Sequence, residues 1–83
     1  MNATVMTPER IAALIRAGLP GATVTVESDD NTHFATRVIC ADFEGKRAIA
    51  RHQLVYQTLG SLMGREIHAL SIEALTPGEY SAK

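Results

Sequence analysis

Apolar residues along the 83-residue chain recur at two different spacings, and those spacings set the elements to expect. Ile11, Leu14 and Ile15 fall at helical spacing, which makes one side of a helix of about three turns apolar. Thr7-Pro8-Glu9 is a helix start: a hydroxyl to cap free N–H groups, a proline where no N–H is missed, and an acid at the positive end of the dipole. Gly18 and Pro20 stop that run. From Thr23 to Glu27 polar residues alternate with valines, as in a strand with one wet face. Ser28-Asp29-Asp30-Asn31-Thr32 supplies turn chemistry, and a second strand is expected from His33 to Ala41, completing a hairpin. Asp42-Phe43-Glu44-Gly45 breaks it. Val55, Tyr56, Leu59, Leu62 and Met63 then trace one helical face from about residue 50 to Gly64, with His52 on the same stripe. A last strand is expected from Ile67 to Leu75, followed by a short helical turn that Thr76 caps ahead of Pro77 and Glu79.

The order is therefore α-β-β-α-β-α. A short turn makes the first two strands antiparallel, whereas the intervening helix lets the second and third run parallel. The expected fold class is α/β: a two-layer sandwich with a three-stranded mixed sheet, helices on one face and the other face open to water or a partner. A chain of this length makes one domain, with residues 1–6 expected as a disordered leader. Surface scaling gives a folded area of about 5,000 Å² and burial of about 60% of the unfolded surface, enough for a core without staples.

Composition removes several functions. Eight basic against nine acidic residues leave a net charge of -1, so any nucleic-acid or anionic-membrane binding needs a local patch. No apolar run approaches the roughly 20 residues of a membrane helix, and the start lacks the pattern of an export signal, so the expected compartment is the cytosol. The single cysteine, Cys40, excludes an internal disulfide and any multi-thiolate metal cage built from this chain alone. Set within an apolar strand, it reads as a small core residue.

Three histidines carry the remaining chemistry, because imidazole both ligates borderline metals and titrates near neutrality. His33 is expected at a loop edge, His52 near a helix start, and His68 at the head of the last strand. The plain alternatives are a solvated His33, a His52 packed beside Tyr56, and a half-buried His68 with a satisfied ring nitrogen. No phosphate cradle, nucleophile elbow or zinc-protease motif is present, so the chain does not read as an enzyme. Lys46, Arg47 and Arg51 form the one basic cluster, where a helix start could offer N–H donors to phosphate.

Phe43-Glu44-Gly45-Lys46, Arg51-His52-Gln53-Leu54-Val55-Tyr56, Ile67-His68-Ala69-Leu70-Ser71-Ile72 and Leu75-Thr76-Pro77-Gly78-Glu79-Tyr80 together resemble the BolA family. The pattern is Phe-x-Gly, then Arg-His-x-x-Val-Tyr, then a late histidine before Thr-Pro-x-Glu-aromatic, and the likeness runs from Ile11 to Tyr80. The resemblance implies a fold akin to class II KH domains and a non-enzymatic partner of monothiol glutaredoxins. It implies a shared, bridged [2Fe-2S] cluster, completed by the glutaredoxin cysteine and glutathione and absent from the isolated chain, in iron–sulfur trafficking or iron regulation. His68 matches the family's late-strand ligand. His33 occupies the place of the second ligand in the loop between the first two strands, whereas Cys40 lies too far along. Neutral imidazoles on one iron make such a cluster less negative, hence easier to reduce.

Some BolA relatives also look like DNA-binding transcription regulators, and the corresponding residues here are Lys46, Arg47, Arg51 and His52. Arg47 stands where many relatives have serine or proline, and the KH Gly-x-x-Gly clamp is missing. A third reading is an adaptor that binds glutaredoxin without metal. The free chain is expected to be a monomer or a weak homodimer.

Overall fold

A computed structural model describes residues 6–82. The elements are α1 (Pro8–Gly18), β1 (Thr23–Glu27), β2 (His33–Ile39), α2 (Ala48–Leu59), β3 (Ala69–Leu75) and α3 (Pro77–Ser81), with short 3-10 turns at Ala41–Phe43 and Gly60–Leu62. The α-β-β-α-β-α order and the mixed sheet are as expected: β1 pairs antiparallel with β2, and β2 pairs parallel with β3. Local chemistry sets the helix ends. Thr7 Oγ1 accepts from the Arg10 N–H at 3.2 Å, and the Thr76 hydroxyl and Glu79 carboxylate form a reciprocal capping box.

Alternation sorts the sheet into two faces. Val24 and Val26, Phe34 and Val38, and Leu70, Ile72 and Ala74 pack with Ile11 and Ile15 of α1 and Val55 and Leu59 of α2. The opposite face carries Thr25, Glu27, His33, Ala35, Arg37 and Ser71, all exposed. Folded surface is 5066 Å², in line with the scaling expectation. The two helices meet closely at Gly18, where a Cβ would lie 2.5 Å from Thr58 Cγ2. Thr36 is the polar exception in the core-facing row, its buried hydroxyl without a partner among the described residues.

Some expectations change. Met6, placed in the leader, is buried in the core at 3% exposure, while residues 1–5 lie outside the described residues. The second strand ends at Ile39, and its continuation coils into the Ala41–Phe43 turn that sinks Phe43. Tyr56 is exposed rather than on the apolar face of α2, since neighbouring Val55 takes the buried position and a helix turns about 100° per residue. The second helix stops at Leu59, where Gly60 adopts a φ of 58°. The last strand begins at Ala69, because Ile67 forms only an isolated bridge with Met63 before entering the core. Among the described residues no helix is long and apolar enough to cross a membrane.

Candidate metal-ligand site

The loop before β2 is built by two side chains. Ser28 Oγ accepts from the Asn31 N–H at 2.9 Å and donates to the His33 carbonyl at 2.6 Å. Asp30 Oδ1 accepts from the Thr32 and His33 N–H groups at 2.9 and 3.0 Å, closing a tight turn in which Asn31 takes a φ of 56°. The second oxygen, Oδ2, lies 2.9 Å from His33 Nδ1. The His33 N–H, the His33 ring and the Thr32 N–H together hold the Asp30 carboxyl well below the usual carboxylate range. The His33 ring is thus tethered at Nδ1, on a side chain that is 70% exposed.

The parallel register brings His68 to the same end of the sheet. His33 pairs with Ala69, and the Ala69 N–H reaches the Thr32 carbonyl at 3.4 Å, so the two histidines are one register step apart on strands about 4.8 Å apart. Strict alternation from Leu70 would have turned His68 toward the helices. Instead Ile67 takes the core position, and the three-residue step from Ile67 to Leu70 leaves His68 exposed. Its ring makes no hydrogen bond or ion pair among the described residues, unlike the half-buried, satisfied histidine that alternation suggests. A hollow of about 530 Å³ opens beside His33, with Glu27, Asp29, Ala35 and Ser71 among its walls.

The donor set suits a shared metal group. His33 and His68 are both exposed at one end of the sheet, Cys40 is buried at 4% exposure, and no group of three or more potential ligands forms among the described residues. A cluster iron with four ligands would need its remaining donors from outside this chain.

The basic cluster divides. Lys46 and Arg47 are exposed at the start of α2, where no acid sits in the first turn and no side chain caps the helix. Arg51, by contrast, is committed internally. Its Nε donates to the Lys46 carbonyl at 2.8 Å, and Nη1 donates to the Ala74 carbonyl at 3.0 Å. Nη1 and Nη2 also grip both oxygens of Glu79, at 2.7 and 3.1 Å, with the guanidinium 5.9 Å from the centre of the Phe43 ring. Arg51 therefore leaves the set of free cations, and His52 is half-buried on α2. The sequence placed Arg51 and Glu79 on their helices but gave no sign that the two, distant in the chain, are partners.

The family of BolA-like proteins matches residues 17–79. The chain belongs to the BolA family. A solved BolA homologue from Coxiella burnetii is 44% identical and superposes with a TM-score of 0.82, covering 92% of this chain and 97% of that one. The chloroplast protein BOLA1 of Arabidopsis thaliana is 40% identical over 81% of this BolA chain. A DNA-binding transcriptional regulator BolA from Haemophilus influenzae is 38% identical over 63% of it. This chain spans 39% of the Arabidopsis protein's length and 50% of the Haemophilus protein's. These BolA names indicate no catalytic family.

Proposed function

We propose that this BolA chain acts without catalysing a reaction, as the partner of a monothiol glutaredoxin with which it shares a bridged [2Fe-2S] cluster in iron–sulfur trafficking or iron regulation. The observation that supports the reading is the β2–β3 register, in which His33 pairs with Ala69, the residue after His68, at one exposed end of the sheet. His68 and His33 are the ligands this chain supplies, and the glutaredoxin cysteine and glutathione complete the set. When bound, the cluster supplies a one-electron redox centre whose potential rises as imidazole replaces thiolate.

The test is anaerobic reconstitution of a monothiol glutaredoxin with and without this chain. Shared ligation predicts a changed visible absorption and circular dichroism spectrum, and His68→Ala should return it to that of glutaredoxin alone. A spectrum indifferent to the chain removes the cluster reading and leaves a metal-free adaptor.

A second reading is supported by the Haemophilus relative's name and by the uncapped, acid-free start of α2 beside Lys46 and Arg47. It is a DNA-binding regulator. With Arg51 engaged by Glu79, only about two phosphates are neutralised, so duplex binding should show a log-log salt slope near -2. A flat slope, or no binding at about 50 mM salt, ends that reading.

A further inference from the structure

The hydrogen bond between Asp30 and His33 has a chemical consequence beyond fixing the loop. An ionised carboxylate only accepts hydrogen bonds, so at 2.9 Å from Nδ1 it requires the ring proton to sit on that nitrogen. A neutral imidazole carries one ring proton, and its other nitrogen, Nε2, is then left with a lone pair. Oδ1 is meanwhile occupied by the Thr32 and His33 N–H groups, which prevents the carboxylate from turning away.

We infer that Asp30 is the positioning residue of His33: it holds the proton on Nδ1 and presents the Nε2 lone pair outward to the iron. This rests on the ligand assignment proposed above for His33, and it adds which nitrogen binds and what selects it. A carboxylate behind a ligating imidazole fixes ring orientation and strengthens the donor.

Asp30→Asn isolates the effect. The amide keeps an oxygen for the two backbone N–H groups, so its NH2 takes the place of Oδ2. That NH2 donates to Nδ1, and the ring proton moves to Nε2. In the full chain labelled with ¹⁵N-histidine, at about pH 8 where imidazole is neutral, long-range ¹H–¹⁵N spectra should show the His33 proton on Nδ1. In Asp30→Asn the proton should be on Nε2.

With monothiol glutaredoxin, Asp30→Asn should lower retention of the shared cluster about 10- to 100-fold. Association with metal-free glutaredoxin should be unchanged. A proton that stays where it was in Asp30→Asn overturns the inference. So does unchanged cluster retention in Asp30→Asn when His33→Ala lowers it. If His33→Ala has no effect either, the ligand assignment falls and the inference falls with it.

Discussion

Phe43→Ala is expected to lower stability by about 3–5 kcal/mol, through lost burial of the ring and the cavity left behind. Phe43 is fully buried, and it sits where the chain leaves β2 and has to reach the start of α2. It belongs to a core cluster drawn from both layers of the sandwich, and such close-packed interiors relax only in part when a large ring is removed. A chain of this size has a total stability of about 4–12 kcal/mol, so the variant would stand near its unfolding threshold. The same ring lies under the Arg51 guanidinium, and its removal also deprives that clamp of its floor. Urea unfolding followed by far-UV circular dichroism measures the shift in midpoint. A loss below about 1 kcal/mol would mean that the surrounding residues close the void.

The second large effect is release of α3 by acid. Arg51 hydrogen-bonds both carboxylate oxygens of Glu79, the Thr76 N–H adds a further bond, and together they hold the Glu79 carboxyl down to about 2 from its ordinary 4.5. A carboxyl with a lowered folded pKa favours the folded form above its ordinary value, and that contribution disappears as pH falls through the lowered one. The clamp should therefore be complete at neutrality, weaken below about 4.5 and be gone near 2. Glu79→Gln should release α3 at every pH and flatten this dependence. Amide exchange at Tyr80 and Ala82, whose N–H groups bond to Thr76 and Gly78, should rise several-fold in the variant. An equal response to acid in wild type and Glu79→Gln would assign the pH dependence to another carboxyl.

What the sequence disclosed and what it withheld follows the range of the interaction. The caps at Thr7 and Thr76 are legible because donor and acceptor lie three residues apart, and the β1 alternation is legible because the pleat has period two. The start of β3 is not, since the core position goes to Ile67 only once the Met63 bridge is in place. Tyr56 misleads for a simpler reason: the stripe of α2 that meets the core runs through Leu54, Val55 and Leu59, which leaves Tyr56 on the exposed side, and periodicity alone does not choose which neighbour of Val55 shares its face. At the candidate site, the sequence named both histidines through a family likeness, while their adjacency depends on β2–β3 register. The Arg51 grip on Glu79 joins α2 to α3 and has no local signal. The Asp30 contact is local, but turn composition does not reveal that one carboxylate serves two backbone groups and a ring together.

The strand order also sets the sequence in which the sheet comes apart. β2 lies between β1 and β3, so it keeps one bonded flank when either outer strand peels and is the last strand to lose all its partners. His33 opens the middle strand and His68 precedes an outer one. Gentle warming would thus loosen the anchorage of one imidazole while the other still stood on the last strand of the sheet to come free.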